Sequence, residues 1–141
     1  MDTFELEIAT PQRMVWRAPA TDAEIPGFRG YLGALPGHAP LIGELGIGEM
    51  SWRDAEGKTR RLVVGGGFME IQPDKVMLLA DSAEWPGEID PARAQAALEQ
   101  AEERQRSNDP EVDHVAATRA VLLARARLAS RQRHTQETVH H

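Results

Sequence analysis

Trp85-Pro86-Gly87-Glu88-Ile89-Asp90-Pro91 divides the chain into two kinds of sequence. Before it, short apolar runs alternate with turn residues. After it there is no glycine, and Ala, Glu, Gln, Arg and Leu dominate, all of them good helix formers apart from their context. Asp90-Pro91 and Asp109-Pro110 each set an N-cap acid before a proline suited to the first helical position. The pattern predicts two helices, at about 91–106 and 110–133, split by Ser107-Asn108-Asp109-Pro110. With a connection that short they should form an antiparallel hairpin.

Upstream, Phe4, Leu6 and Ile8 alternate with Glu5 and Glu7, the period of a strand with one wet face. Further strand-like runs follow at 13–16, 31–35, 48–52, 61–64, 68–71 and 76–79. Turn signals punctuate them at Thr10-Pro11, Pro26-Gly27, Pro36-Gly37, 54–57, 65–67 and Gln72-Pro73-Asp74. Many short strands at this spacing indicate an all-β sandwich or barrel, and there is no room for the crossover helices of a parallel sheet. The expected architecture is α+β: a β-sandwich over residues 1–86 followed by a helical hairpin over 87–141.

The hairpin is lightly built. Its expected apolar stripes are Ala94, Ala97, Leu98 and Ala101 on the first helix, and Val112, Val115, Ala116, Ala120, Leu122, Leu123 and Ala126 on the second. Alanine lets helices approach but buries little, and each buried CH₂ is worth only about 0.8 kcal/mol. A two-helix unit of this size lacks a sufficient core of its own. It must lean on the sandwich or on another protein, which suits a moving part.

Composition narrows the function classes. The net charge of −6 over 141 residues argues against broad nucleic-acid binding, which needs basic surface to release counterions. Residues 1–88 hold 8 basic and 14 acidic side chains, whereas 114–141 hold 5 basic and 1 acidic. That basic stretch, Arg119, Arg125, Arg127, Arg131 and Arg133, reads either as a solvated helix face or as a surface seeking an acidic partner. Without cysteine, disulfides and thiolate zinc sites are not available. The first residues have neither the basic nor the apolar region of a signal peptide. No apolar run approaches the roughly 20 residues that cross a bilayer, so membrane association is expected only through a partner.

Motifs that resemble chemistry do not complete a site. Residues 26–48 contain seven glycines and three prolines, yet neither phosphate-loop spacing occurs and no helix follows to receive a phosphate. Turn punctuation is the expected role, and Gly65-Gly66-Gly67 is expected to mark a bend or a close backbone approach. His38 and His114 lack ligand-like spacing to another ligand, while His134, His140 and His141 cluster at the chain end. His38 has no Ser, Cys or Asp beside it to complete a nucleophile arrangement. Trp16, Trp52 and Trp85 read as core or contact residues rather than a stacking platform.

The run from Pro26 through Phe28, Arg29, Tyr31, Gly37, His38 and Pro40 to Leu41 resembles the signature PG-x-x-G-x-[LF]-G-x-L-x-GHAP-L of ATP synthase epsilon subunits. The resemblance continues through Leu45-Gly46-Ile47-Gly48, Gly66-Gly67-Phe68-Met69-Glu70-Ile71, Leu78-Leu79-Ala80-Asp81-Ser82-Ala83-Glu84 and Ile89-Asp90-Pro91-Ala92-Arg93-Ala94. It implies a ten-stranded sandwich beside the gamma subunit and on the membrane rotor ring (c-ring), at the cytoplasmic face of a bacterial membrane. Arg29, Tyr31 and His38 would then belong to the ring and gamma interface. It also implies a helical tail that folds back or extends toward the alpha and beta catalytic subunits and inhibits ATP hydrolysis there. Arg119, Arg125, Arg127, Arg131 and Arg133 would carry the tail contacts.

Catalytic residues belong to other subunits in this family, so none is expected here, nor any required cofactor or metal. Some members bind ATP as a regulatory ligand through an I/L-D-x-x-R-A motif, matched by Ile89, Asp90, Arg93 and Ala94. Arg125 matches the second-helix arginine, but the following spacing, to Arg127-Leu128, is two residues short. Asp90 reads equally as a helix cap and Arg93 as a surface ion-pair partner. Besides a rotor subunit, a free-standing nucleotide sensor built on Asp90 and Arg93, or a small enzyme using His38, remains open at this point.

Overall fold

The structure is a computed structural model that describes residues 2–139, so His140 and His141 lie outside it. In chain order it contains β1 (Phe4–Ala9), β2 (Met14–Gly27), β3 (Gly30–Ala34), β4 (Leu41–Asp54), β5 (Thr59–Ile71), β6 (Lys75–Ala80) and β7 (Ala83–Glu84). A 3-10 turn (Pro86–Glu88), α1 (Pro91–Arg106) and α2 (His114–Val139) follow. The chain separates into two units, residues 1–84 and 85–141.

In the first unit the strands run in the order β1-β6-β5-β4-β2-β3, and β1 also pairs with β2. The pairing thus closes through β1, β6, β5, β4 and β2, and β7 hangs on β5. Alternation fills the interior: Phe4, Leu6 and Ile8 are buried on β1, and Leu62 and Val64 on β5. Met50, Trp52, Ile25, Ile71 and Leu78 complete the core. Trp16 meets Trp52 edge-on with centroids 5.3 Å apart. One pair, β1 with β6, is parallel; the rest of the sheet joins those two strands, so no crossover helix is needed.

Seven strands form among the described residues, where ten were implied. The difference lies in β2, β4 and β5, which have 14, 14 and 13 residues, more than twice the common length of about 5–6. They run on through the expected turns rather than end there. The β4–β5 register is the same on either side of Gly46, with Leu45 opposite Gly67 and Ile47 opposite Gly65, and a Cβ on Gly46 would lie 2.5 Å from the Gly27 carbonyl oxygen. Gly67 has φ +134°, and a Cβ there would overlap the Leu79 carbonyl. Gly46 and Gly67 therefore serve as close approaches inside continuous strands, and Gly46 corrects its reading as turn punctuation.

In the second unit, α1 spans the expected residues. Asp90 caps it, its Oδ1 accepting from the N–H groups of Ala92 at 3.0 Å and Arg93 at 3.3 Å. α2 begins at His114 rather than at 110. Asp109 instead closes a turn over Pro110 by accepting from the Glu111 N–H at 2.9 Å. The cap is Asp113, whose carboxylate accepts from the Ala116 N–H at 3.0 Å.

The buried stripe of α2 also differs from the expected one. Ala117, Val121 and Ala124 are buried, with Leu128 half-buried in the next turn, a spacing that tracks one seam of a helix pair. Val115 is 73% exposed and Leu122 49%, and Ala116 and Ala120 are exposed. A one-residue offset turns a helix by about 100°, so a stripe counted from Val112 points away from α1. Gln105 meets Thr118 and Glu102 meets Arg125 across the hairpin, which makes the helices antiparallel.

Candidate functional site

The outer face of the β4-β5-β6 region is built by register. Ile42 and Glu44 share a face of β4, opposite Glu70 and Phe68 of β5, and Phe68 in turn stands opposite Leu79 of β6. Ile42 is 77% exposed, Phe68 63% and Leu79 52%. Phe28 joins this neighbourhood through its N–H, which donates to the Glu44 carbonyl at 3.1 Å, and it is 70% exposed. A groove of about 540 Å³ runs beside it, lined by residues that include Phe28, Arg29, Leu32, Leu41, Ile42 and Met69.

Sequence reasoning missed this surface. Its signal was Phe68, an apolar residue sharing a strand face with Glu70, where simple alternation puts polar groups. A second signal lies in charge: residues 30–43 contain no Asp, Glu, Lys or Arg, in a chain that is 27% charged.

Arg29 and Phe28 form the two-residue connection between β2 and β3, closed by the Gly27–Gly30 pair. Tyr31 is exposed, and its hydroxyl donates to the Glu49 carbonyl at 2.9 Å. His38 follows the far end of β3. Its turn is tied elsewhere, because the Gly37 N–H donates to the Pro73 carbonyl at 2.7 Å. The imidazole Nδ1 lies 2.6 Å from its neighbour's carbonyl oxygen, that of Ala39. Arg29 and Tyr31 are thus together, while His38 sits at the other end of the strand.

At the hairpin, Ile89 and Ala94 are buried, and the Asp90 carboxylate is engaged in capping. The Arg93 guanidinium is exposed. Arg125 pairs with Glu102 (Nη2 to Oε2, 3.3 Å), at a level nine residues beyond Arg93 on α1. That offset is about 13–14 Å along the axis, so Arg93 and Arg125 are not brought to one point. Arg131 donates from Nη1 to the Gly87 carbonyl at 2.9 Å. Arg119 and Arg133 are exposed and Arg127 half-buried. Glu102 and Gly87 take part in these contacts without any motif to announce them.

No group of three or more His, Cys, Asp or Glu side chains that could hold a metal occurs among the described residues. No helix among them is long and apolar enough to cross a membrane.

Comparison with known proteins matches both units to one family. Residues 3–86 match the family described as ATP synthase, Delta/Epsilon chain, beta-sandwich domain, and residues 88–130 its long alpha-helix domain. An ATP synthase epsilon chain of Koribacter versatilis is 54% identical over 110 residues, 78% of this chain and 77% of that one. That of Solibacter usitatus is 46% identical over 129 residues, 92% and 96% of the two chains. Among solved structures, a chain of the Euglena gracilis mitochondrial ATP synthase (OSCP/F1/c-ring, rotational state 1) shares the fold. Its TM-score is 0.81 at 23% identity, over 91% of this chain and 81% of that chain. With both of its domains present in order, the chain belongs to the ATP synthase delta/epsilon chain family.

Proposed function

We propose that the chain is a central-stalk subunit of an F-type ATP synthase, without catalytic residues of its own, whose sandwich docks on the rotor and whose hairpin regulates hydrolysis. The observation that carries the docking half is the exposed apolar surface of Phe28, Ile42, Phe68 and Leu79 beside the uncharged stretch 30–43. Such a patch marks an interaction site, and Glu44 and Glu70 within it favour a partner that sets basic groups among apolar ones. The gamma subunit is the partner we assign to it. The ring loops are assigned to the two ends of β3, Arg29 and Tyr31 at one and His38 at the other. The chain then attaches to the cytoplasmic face of the membrane only through the assembly.

The regulatory half is supported by the hairpin's thin core. Its buried side chains on α1 and α2 include Ala94, Ala101, Ala117, Val121 and Ala124, which hold the two helices together by little apolar area. ATP as a regulatory ligand is favoured by the exposed Arg93 and disfavoured by the distance to Arg125, which is already paired with Glu102.

Reconstitution tests the reading. Full-length chain mixed with gamma should co-elute with it, and Ile42→Asp should weaken that association; separate elution of the native chain sinks the assignment. Adding the chain to an epsilon-depleted complex should lower its ATP hydrolysis, and a chain lacking residues 89–141 should not.

A further inference from the structure

We propose that Gly87, Arg131 and His134 form a latch that fastens the far part of α2 to the turn preceding α1. The turn is self-contained. The Glu88 N–H donates to the Trp85 carbonyl at 2.9 Å and the Ile89 N–H to the Pro86 carbonyl at 3.3 Å. The Gly87 carbonyl is left over, and Arg131 Nη1 takes it at 2.9 Å from 44 residues away. This contact closes the base of the hairpin. Two further ties across the hairpin, Gln105 to Thr118 at 3.4 Å and Glu102 to Arg125 at 3.3 Å, are longer.

Glycine at 87 has a specific reason. Its φ is not among the positive values in the chain, so backbone conformation does not demand glycine. What it supplies is room: a Cβ there would stand 3.1 Å from His134 Nε2, the nearest atom. The imidazole therefore lies against the bare Cα while Arg131, three residues earlier on α2, holds the adjoining carbonyl. At a compatible φ, Gly→Ala ordinarily stabilises by restricting the unfolded chain. The latch predicts the opposite sign here.

The regulatory consequence rests on the mobile-hairpin reading above, but the latch is measured without it. In the full-length chain, amide hydrogen exchange at Val121 and Ala124 reports opening of α2, and exchange at Leu62 reports the sandwich. Arg131→Ala removes a charge-assisted hydrogen bond and should speed α2 exchange about tenfold, leaving Leu62 unchanged. Gly87→Ala and Gly87→Val should act in the same direction, Val more strongly. Adding His134→Ala to Gly87→Ala should restore protection, since the ring crowding the new Cβ is gone while the Arg131 bond stays.

Unchanged α2 exchange in both Arg131→Ala and Gly87→Val overturns the latch, as does equal acceleration at Leu62. Failure of His134→Ala to restore Gly87→Ala overturns the part given to the imidazole. If exchange responds as expected but hydrolysis by the assembled complex does not, the latch stands and the regulatory reading falls.

Discussion

Glu102 on α1 and Arg125 on α2 meet at 3.3 Å, 23 positions apart in sequence. Their side chains are 32% and 60% exposed, so the pair is solvated and worth about 0–1 kcal/mol. Arg125→Ala should therefore lower hairpin stability by less than about 1 kcal/mol, and 0.5 M salt should erase most of that difference. Hydrogen exchange at Ala124 is the measurement. A tenfold change would mean that Arg125 holds the hairpin far more tightly than an exposed pair can.

The caps make a stronger claim. Asp90→Ala and Asp113→Ala should each destabilise the hairpin by about 1 kcal/mol, whereas Pro110→Ala should have little effect because α2 starts after it. Circular dichroism at 222 nm during thermal unfolding distinguishes these. If Pro110→Ala matched Asp113→Ala, the helix start would lie where the sequence alone puts it.

That contrast shows what the sequence made legible. Asp90-Pro91 and Ser107-Asn108 are local signals at either end of α1, and α1 spans the residues they bound. Asp109-Pro110 carries the same start signal, but Asp113 lies four residues further and supplies a second cap, and propensity alone does not choose between them. The long strands were cut short in the reading because glycine is a turn signal locally. Gly46 and Gly67 answer to backbones that approach from elsewhere in the fold. What was legible at the hairpin is local: Asp90 before Pro91 reads as a helix cap and is one. The candidate site was not legible where a side chain reaches a bare carbonyl, as Arg131 does at Gly87, because any residue offers the same carbonyl.

The sandwich surface separates binding from stability. Ile42 and Phe68 are 77% and 63% exposed, so Ile42→Asp and Phe68→Asp should leave the unfolding midpoint nearly unchanged. Burying either side chain against a partner is worth about 1.5–3 kcal/mol, which predicts at least a tenfold weaker association with gamma for each. Titration calorimetry checks the affinity and calorimetric scanning the midpoint. Full affinity in the double variant would move the rotor contact to another face.

Asp54 gives a pH dependence. Its carboxylate accepts from the Lys58 and Glu56 N–H groups at 3.0 Å and from Arg60 Nε at 3.2 Å. The Lys58 N–H does most to hold the group below its ordinary value of 3.8; burial opposes it, and Arg60 and the Glu56 N–H add to the lowering. A depressed value in the folded state means that the ionised form supports folding. The contribution is complete above 3.8, the ordinary value, and is lost as pH falls through the lower folded-state value. The native chain should lose stability in that window. Asp54→Asn should be less stable than the native chain at pH 7 but should show a shallower decline in acid, as measured by urea midpoints.

The arginines of α2 should not act alike, although all five invite the same reading from sequence. Arg125 is held by Glu102 and Arg131 by the Gly87 carbonyl, whereas Arg119 is exposed on α2, beyond Val115 and in the turn before Leu122, both exposed apolar residues. Arg131 therefore stabilises the closed hairpin, and Arg119 is available to an acidic partner whether the hairpin is closed or open. If the open tail inhibits, the two substitutions must have opposite signs. Arg119→Ala should raise ATP hydrolysis by the assembled complex, because the tail loses a contact in the inhibited state. Arg131→Ala should lower hydrolysis, because it releases the tail. Hydrogen exchange on α2 separates the two variants, since Arg131→Ala must speed exchange and Arg119→Ala must leave it unchanged. A rise in hydrolysis for both variants, with exchange unaltered in both, would remove the closed hairpin from the account and leave the arginines as simple contacts with the catalytic subunits.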